Sequence, residues 1–375
     1  MEQQSLLNDL VTSPRTAVFA SFRLGGTDGV SVEAAKWESA LTKLGFSCRR
    51  VAGEILDAGR SDDVVIPELR MRAAAEPSPA LVEAAFEGAD LVVIENLLSL
   101  PLNLPGARIV SKVLADHPRV VLHHHDLPWQ RVEFAHVDEL PPLLDGALHV
   151  VINELSRREL LDRGIEAHVV RNHFDLAPEP GDRAATRRRL GLGESDILAL
   201  HPVRAIERKN LPGALALCAA LDARLPRNIV HYWLPGPAED GYEATLESLL
   251  DDAERDTRVE LVRSPAQPIR DAYAACDLVV FPSTWEGFGN PVIESVAFGR
   301  PLAAGDYPAL RELTHLGFSF LSSDDPAAVA AVLSGVRDIG PSLERNLELA
   351  RAHLAIELLP GRIEALMAGA GWSFE

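Results

Sequence analysis

The sequence has few cysteines and no long apolar run. Its three cysteines, Cys48, Cys218 and Cys276, are far apart and form no C-x-x-C pair, which argues against a disulfide framework and a zinc ribbon. No stretch of about 18 uninterrupted apolar residues occurs, so we expect no membrane-spanning helix. The first residues lack the basic start and long apolar core of a signal peptide. These absences predict a cytoplasmic protein without a membrane anchor.

Basic residues are also scarce. The chain has 36 lysines and arginines against 55 aspartates and glutamates, a net charge of −19, which disfavours nucleic acids and anionic membranes as partners. Lysine is the rarest of these types, with only Lys36, Lys43, Lys112 and Lys209. A lysine in a candidate site therefore carries more weight than an arginine. Any phosphate site must be a local basic pocket in an acidic protein.

Apolar runs alternate with helical segments along the chain, which is typical of parallel sheets covered on both faces. The runs in the first half are TAVFASF, DLVVIEN, RVVLHHH, LHVVIN and AHVVRN, with a helix predicted from Ser31 to Leu44. Those in the second half are DILALHPV, NIVHYWLPG, RVELVRS, DLVVFPS and PLAAGD. We predict two doubly wound Rossmann-like α/β domains, at residues 1–175 and 176–350. A helical segment at 351–375 follows, which can pack back on the first domain.

A basic cluster lies in the connection between the two halves. The segment from Asp175 to Gly193 contains two prolines, several glycines and four arginines at 183, 187, 188 and 189. We interpret it as an interdomain connection followed by a short helix, with the arginines on a solvated helix face.

Ligands of open α/β sheets bind at the carboxyl ends of the strands, so the loops there are the candidate sites. The first such loop runs from Arg23 to Gly29 and contains Gly25 and Gly26. Glycines at this point let the backbone approach a ligand closely. A plain tight turn accounts for them equally well, and both interpretations stay open.

The second loop begins with three histidines, His123, His124 and His125, followed by Asp126. Adjacent side chains on a strand point to opposite faces, so the three do not converge easily on one ion, and we expect no metal. One or two of them, with Asp126, are expected to face a cleft and hydrogen-bond a polar substrate. The alternative is strand-end histidines whose partners lie within the protein.

The third loop, after DILAL, contains Arg204 and Lys209. Two cations on a strand-to-helix loop can hold a diphosphate. Surface charge is the alternative explanation for either residue alone.

The fourth loop lies in FPSTWEGFGNPVIESVAFGRP, residues 281–301, and is the most informative part of the chain. Glu286 and Glu294 are separated by seven residues, around a Gly-x-Gly turn. Asn290 is predicted as the N-cap of a helix and Pro291 as its first residue. Such a strand–loop–helix unit aims backbone N–H groups at a phosphate. The alternative is a solvated glutamate and an ordinary glutamate near a helix N-terminus.

With all four loops considered, the chain resembles the retaining GT-B glycosyltransferases of the Glu-x7-Glu group, glycosyltransferase family 4-like. The resemblance covers nearly the whole chain. Its most specific part is FPSTWEGFGNPVIESVAFGRPLAAGD, and the VVRNHFD segment, the glycine loop and the pair Arg204 and Lys209 also match.

The resemblance implies a nucleotide-diphosphate-sugar donor, UDP- or GDP-linked, with no cofactor and no metal. It also implies the following roles. Glu294 binds the ribose, Glu286 contacts the transferred sugar, and Arg204 with Lys209 neutralises the diphosphate. Gly25, Gly26 and the residues Gly287, Phe288, Gly289 and Asn290 offer backbone to the donor, while His125 or Asp126 lies near donor sugar and acceptor.

The chain departs from the group at two points. After DLVV, several relatives have a histidine where this chain has Glu95 and Asn96, so that role is unassigned. The linker, Arg171 to Phe174, lacks the usual glycine. A mixed-charge first helix favours a small soluble acceptor over a lipid. A GT-B-fold nucleotide-sugar isomerase, a phosphorylase-like enzyme and an inactive binding partner remain alternatives, and a homo-oligomer stays open.

Overall fold

The computed structural model describes residues 15–239, 241–263 and 268–374. Residues 1–14, which the sequence analysis interpreted as lacking a signal peptide, lie outside the described residues. The chain forms two compact units, Met1–Arg171 with Glu357–Glu375, and Asn172–Ile356. We call them the N-terminal and the C-terminal unit. The boundaries predicted from the sequence lie after residues 175 and 350.

The N-terminal unit is a seven-stranded parallel sheet with strand order β3-β2-β1-β4-β5-β6-β7. Its strands are β1 (Arg15–Leu24), β2 (Phe46–Ile55), β3 (Val64–Val65), β4 (Leu91–Glu95), β5 (Val120–His124), β6 (Leu148–Val151) and β7 (Ala167–Val169). Its helices are α1 (Gly29–Lys43), α2 (Pro79–Phe86), α3 (Leu104–Val113), α4 (Glu154–Leu161) and, from the end of the chain, α13 (Leu359–Gly369).

The C-terminal unit is a six-stranded parallel sheet with strand order β10-β9-β8-β11-β12-β13. The strands are β8 (Ile197–Leu200), β9 (Val230–Trp233), β10 (Glu260–Val262), β11 (Leu278–Phe281), β12 (Leu302–Ala304) and β13 (Leu321–Ser322). The helices are α5 (Arg183–Arg189), α6 (Leu211–Arg224), α7 (Glu243–Asp256), α8 (Ile269–Ala275), α9 (Asn290–Ala297), α10 (Pro308–His315), α11 (Pro326–Leu333) and α12 (Gly340–His353).

Both sheets are doubly wound, and each has two of the candidate loops at the carboxyl ends of its central strands. The strand order reverses between β1 and β4 in one unit and between β8 and β11 in the other. Apolar residues on these central strands form the core of each unit. The glycine loop follows β1, the histidine loop follows β5, and the two remaining loops follow the adjacent strands β8 and β11. Within the described ranges no helix is both long and apolar enough to cross a membrane.

The end of the chain packs within the N-terminal unit. Helix α13 contacts α1, and the Phe374 ring meets Phe46 edge-on with 5.0 Å between centroids. The Arg119 guanidinium lies 4.7 Å from the centre of the same ring. A cation over an aromatic face adds electrostatic attraction to this apolar contact.

The arginine cluster is not the solvated face that the sequence suggested. Arg187 is buried and binds the Asp277 carboxylate at 2.9 Å, and Arg183 donates to the Asp277 side chain and to the carbonyl oxygens of residues 274–276. These bonds attach α5 to the turn between α8 and β11. Only Arg188 and Arg189 of the four are exposed. Helical periodicity could not reveal Asp277, a partner 90 residues from Arg187 and 94 from Arg183.

Candidate active site

The loops that follow β8 and β11 are held together by backbone hydrogen bonds. The Thr284 N–H donates to the Arg208 carbonyl at 3.0 Å. The Asn210 side-chain amide donates to the Pro282 carbonyl at 3.1 Å, while its oxygen caps α6 by accepting from Gly213 N–H. Asn210 has a φ of 51°, a left-handed conformation that asparagine tolerates better than most residues. The two loops therefore form one surface of the C-terminal unit.

Glu286 is the centre of this surface. Its carboxylate accepts from Lys209 Nζ at 2.6 Å and from an Arg208 guanidinium nitrogen at 2.5 Å. Glu286 is 6% exposed and Lys209 is 8% exposed, so the ion pair is largely removed from water. Lys209 Nζ also lies 5.3 Å from the centre of the Phe281 ring. Glu286 and Lys209, both predicted from the sequence as site residues, are thus in direct contact, and Arg208 adds a second cation.

Burial and charge act in opposite directions on these groups. Burial would raise the pKa of Glu286, but the charges of Lys209 and Arg208 outweigh it and lower that pKa below its ordinary value. Burial lowers the pKa of Lys209 to about 8, although Glu286 opposes this. At pH 7 the carboxylate is ionised and most of the ammonium is charged.

Arg204 lies in the same loop but makes a different ion pair. It binds the Glu239 carboxylate, and both side chains are about one-third exposed. Its charge contributes to lowering the pKa of Lys209, so the two cations are close enough to affect each other. An ion pair at this exposure is weak and easily exchanged for another anion.

The turn before α9 explains why glycine stands at position 289. Gly289 is the N-cap, with a φ of 91°, and a Cβ built on it would lie 2.4 Å from Tyr307 Oη. The prediction that Asn290 is the N-cap was wrong by one residue. Its side chain instead accepts a hydrogen bond from the Asn172 amide at 2.9 Å. The tight approach of Tyr307, which sequence spacing does not show, leaves no room for a side chain at residue 289.

Phe288 is buried, and its ring stacks on Phe174 with 5.8 Å between centroids. Phe174 and Asn172 belong to the linker segment that lacks the usual glycine. Gly287 is partly exposed between Glu286 and Phe288. The linker therefore packs directly on the turn that contains residues 287–290.

Glu294 is in the second turn of α9 and is oriented by a tyrosine. Tyr273 Oη donates to its carboxylate at 2.6 Å, and the Tyr273 ring stacks on Phe298 with centroids 4.8 Å apart. Burial and the Glu294 charge raise the pKa of Tyr273 well above its ordinary value, so the tyrosine remains a donor. Glu294 itself is partly exposed and can accept further hydrogen bonds.

In the N-terminal unit, the glycine loop has a packing explanation. Gly25 has a φ of 74°, and a Cβ there would lie 2.7 Å from the Asp57 side chain. Asp57 is held by the buried Arg50 guanidinium at 2.7 Å. A Cβ on Gly26 would lie 2.9 Å from Asp28, the N-cap of α1. The turn requires glycine at position 25 and leaves little room for a side chain at position 26, and a contact of either residue with a ligand stays a prediction.

The three histidines separate as the strand geometry requires. His124 points to one side, where it contacts Ser99 Oγ at 2.6 Å and His149 at 3.0 Å. His123 and His125 share the other side, and both contact Glu95, at the end of β4. Nδ1 of His123 lies 3.0 Å and Nε2 of His125 lies 2.7 Å from Glu95 Oε2.

Asp126 follows this group and is less buried. Its carboxylate accepts from Arg131 at 2.8 Å. The side-chain oxygen of Asn96, a residue with a φ of 60°, accepts from the backbone N–H groups of His125 at 3.0 Å and Asp126 at 3.3 Å. Glu95 and Asn96, the two residues that depart from the family pattern, therefore both support the histidine loop.

Glu95, His123 and His125 offer ligand atoms within 4.8 Å of one another, which is close enough for one metal ion. Their contacts are those of direct hydrogen bonds, however, and Nε2 of His123 is buried without a partner among the described residues. A metal-bound histidine usually donates its other N–H to an acceptor. The geometry fits a hydrogen-bonded group better than a metal centre.

Four residues of the site escaped the sequence analysis as site residues: Arg208, Tyr273, Tyr307 and Glu95. Arg208 is adjacent to Lys209 and could have been found by its position in the same loop. Glu95 could have been found because its strand neighbours β5, where it is in register with His123. Tyr273 and Tyr307 come from elements whose approach only the folded chain shows.

Residues 201–337 match the family model described as "Glycosyl transferases group 1". The chain is 25% identical over 371 residues to the mannosylglucosylglycerate synthase of Petrotoga mobilis, covering 80% of this chain and 85% of that protein. It is 31% identical over 212 residues to the D-inositol 3-phosphate glycosyltransferase of Thermobispora bispora, covering 52% of this chain and 44% of that protein.

Solved structures show the same fold over nearly the whole chain. Anabaena HepE in complex with UDP and glucose superposes with a TM-score of 0.70 at 19% identity, covering 95% of this chain and 100% of that one. Sucrose-phosphate synthase from Thermosynechococcus elongatus superposes with a TM-score of 0.68 at 16% identity, covering 95% of this chain and 98% of that one. At these identities the likeness shows the fold alone. The chain therefore has the GT-B fold of two doubly wound sheets, and its residues 201–337 match the group 1 glycosyltransferases.

Proposed function

We propose that this protein is a retaining, metal-independent hexosyltransferase that acts in the cytoplasm. It transfers a sugar from a UDP- or GDP-linked donor to a hydroxyl group of a small soluble acceptor. The observation that carries this proposal is the buried contact of Glu286 with Lys209 and Arg208, just before α9, whose second turn contains Glu294.

The charges of the C-terminal unit suit a nucleoside diphosphate. Arg204, Arg208 and Lys209 supply three cations on one loop, and only Lys209 is deeply buried. The incoming diphosphate displaces Glu239 from Arg204. This exchange costs little free energy because the Arg204–Glu239 pair is partly exposed. Lys209 stabilises the charge that develops on the leaving phosphate. Three cations at this position support the proposal that the reaction needs no divalent ion.

Glu294 is proposed to bind the ribose. A carboxylate can accept hydrogen bonds from two adjacent hydroxyl groups, and Tyr273 holds it in one orientation. Glu286 is proposed to face the sugar that is transferred, with Gly287, Phe288, Gly289 and Asn290 offering backbone groups to sugar and phosphate. Burial of Glu286 strengthens its interaction with positive charge on the anomeric carbon.

Retention is proposed to follow from front-face attack. The departing phosphate accepts the proton of the acceptor hydroxyl, the new glycosidic bond forms on the face from which the diphosphate leaves, and a nucleoside diphosphate is released. This mechanism requires no second carboxylate pair of the type that retaining glycoside hydrolases use. His125 or Asp126 is proposed to contact the donor sugar or the acceptor, and Gly25 and Gly26 are proposed to offer backbone groups to the donor.

The acceptor is proposed to carry an acidic group. The relatives named above are a mannosylglucosylglycerate synthase and a D-inositol 3-phosphate glycosyltransferase, and glycerate and inositol phosphate are both small anions. In the N-terminal unit, Arg23 lies near the end of β1 and Arg131 in the loop after β5, and both are partly exposed. Either arginine can bind a carboxylate or phosphate.

The test is a product analysis by proton NMR with UDP-glucose, GDP-mannose and ADP-glucose, each combined with glucosylglycerate, glycerate and inositol 3-phosphate. We expect one pair to yield an α-linked product from the α-linked donor, at a rate that EDTA does not change. A β-linked product would contradict retention, and a rate abolished by EDTA and restored by Mg²⁺ would contradict metal independence. A sugar altered while still attached to its nucleotide would indicate the isomerase alternative.

A further inference from the structure

Glu95 contacts two histidines in the interior of the N-terminal unit. It ends β4 directly opposite His123 of β5, and His125, two residues later, returns to the same side of the sheet. Glu95 is 0%, His123 1% and His125 7% exposed. A buried carboxylate is stable only when its hydrogen-bonding capacity is used, and here both rings donate to it.

The two histidines differ in what surrounds their other ring nitrogen. Nε2 of His123 is enclosed without a partner in the described chain, and the Trp37 ring lies against His123 with 4.5 Å between centroids. A second proton on His123 would leave a buried N–H without an acceptor. Nδ1 of His125 is not enclosed, and no described residue accepts a hydrogen bond from it. A second proton on His125 is therefore the less costly one.

The neighbouring charges act in the same direction. Burial would lower the pKa of His125, but the hydrogen bond and charge of Glu95, with Glu33 of α1 and the adjacent Asp126, raise it. Lys36, which pairs with Glu33, and Arg131, which pairs with Asp126, partly offset those two carboxylates. Burial lowers the pKa of His123, whose ring centre is 4.4 Å from that of His125.

We propose that Glu95 is a positioning residue that orients His125 and holds it as a two-proton donor, with Nε2–H on the carboxylate and Nδ1–H directed out of the protein towards an oxygen of the bound sugar. Asn96 completes the arrangement by holding the backbone at residues 125 and 126. The ligand is thus an oxygen acceptor, a sugar hydroxyl or ring oxygen. This role rests on the proposed transferase function, but the proton arrangement can be measured without turnover.

The first experiment is long-range ¹H–¹⁵N correlation NMR of the ¹⁵N-histidine-labelled full chain between pH 5 and 9. We expect His125 to keep both ring protons above the pH at which an ordinary histidine loses one, and His123 to stay neutral with its proton on Nδ1. In the Glu95→Gln variant the His125 pKa should fall by at least about one unit. Glu33→Gln, which removes a nearby carboxylate without breaking a bond to His125, is the matched control and should shift it less.

The second experiment measures turnover. Because Glu95 acts through His125, Glu95→Gln should lower kcat about 10- to 100-fold at pH 8 with little change in the KM for the nucleotide-sugar. His125→Gln should cause a similar loss, and the double variant should lose no more than the larger single loss. Losses that multiply, or a neutral His125 in the wild-type spectrum, would overturn the proposal.

Two further results are decisive. If Glu95→Gln does not fold, Glu95→Asp and the wild-type NMR titration still test the proton arrangement. One equivalent of a metal that is removed by chelation, together with loss of the His123 and His125 ring N–H signals in the metal-bound form, would overturn it in favour of a metal site. A wild-type protein with the expected His125 signals but no transferase activity would contradict the proposed function and leave the proton arrangement standing.

Discussion

Lys209 donates a hydrogen bond to Glu286 at 2.6 Å in a part of the C-terminal unit that water hardly reaches. The two residues are 77 positions apart in the chain, on loops that follow adjacent strands. A buried carboxylate next to a buried ammonium is stable only while both are present, because either one alone is an uncompensated charge. The contact therefore links the loop after β8 to the loop after β11.

Replacing Lys209 with methionine should nearly abolish transfer. The change keeps the length of the side chain but removes the cation that is proposed to stabilise the leaving phosphate, and such a donor contributes about 100- to 1,000-fold to kcat. Steady-state kinetics with the donor found in the product analysis measures the loss. Lys112→Met, which removes an exposed lysine of α3, is the control and should leave kcat and KM unchanged. Wild-type turnover in Lys209→Met would contradict the assigned role.

Affinity for the free nucleotide should fall above pH 8. Burial lowers the pKa of Lys209 to about 8, so the ammonium charge that binds the diphosphate is lost as the pH rises through that value. We expect the association constant for UDP or GDP, measured by calorimetry, to decrease about tenfold per pH unit between pH 8.5 and 9.5 if one proton is required. In Lys209→Arg this decrease in affinity should disappear, because arginine stays charged. A decrease that persists in the arginine variant would show that another group titrates.

Removing the Glu294 carboxylate should weaken nucleotide binding more than removing its tyrosine partner. Hydrogen bonds to a charged group contribute about 1.5–3 kcal/mol, so Glu294→Ala should raise the Kd for the nucleotide about 10- to 100-fold. Tyr273→Phe removes only the hydroxyl group that orients the carboxylate, and it should raise the Kd about 2- to 10-fold. Free uridine and guanosine, which keep the ribose but lack the diphosphate, should show the same ratios. Equal Kd values for wild type and Glu294→Ala would contradict ribose binding at this residue.

Gly289→Ala should destabilise the protein more than Gly299→Ala does. Both glycines have a positive φ, 91° and 62°, which costs about 1–2 kcal/mol for alanine. A Cβ on Gly289 would also lie 2.4 Å from Tyr307 Oη, whereas a Cβ on Gly299 would meet nothing within 4 Å. Overpacking adds about 1–3 kcal/mol to the first variant only. Urea unfolding measures the difference, and equal losses would show that Tyr307 moves aside freely.

The sequence predicted the fold class and ten of the strands, because buried parallel strands have continuous apolar runs. It missed β2, β3 and β13. The β2 segment, FSCRRVAGEI, contains Arg49 and Arg50 in the middle of the strand, and Arg50 is buried only because Asp57 and Asp63 bind it. The hydrophobic periodicity of a strand does not reveal such a partner. The strands β3 and β13 have only two residues each and are too short to show a periodicity.

The candidate site was predictable where loops follow apolar strands. Glu286 and Lys209 were found that way, since parallel strands bring their carboxyl ends to one edge of a sheet. The grouping of Glu95 with His123 and His125 was missed. Adjacent side chains on a strand point to opposite faces, which separates His124 from its neighbours but leaves residues 123 and 125 on one side. Register between β4 and β5, which the sequence does not show, brings Glu95 to them.

Binding of a nucleotide-sugar to the intact protein tests the central claim most directly. The melting temperature is measured with millimolar UDP-glucose, GDP-mannose and ADP-glucose, for wild type and for a variant that combines Lys209→Met with Glu294→Ala. A ligand that binds the folded state raises the melting temperature by mass action. We predict that at least one donor does so for the wild type and that none does so for the double variant. Equal shifts in both proteins, or no shift in either, would contradict the assignment of the donor to this surface of the C-terminal unit.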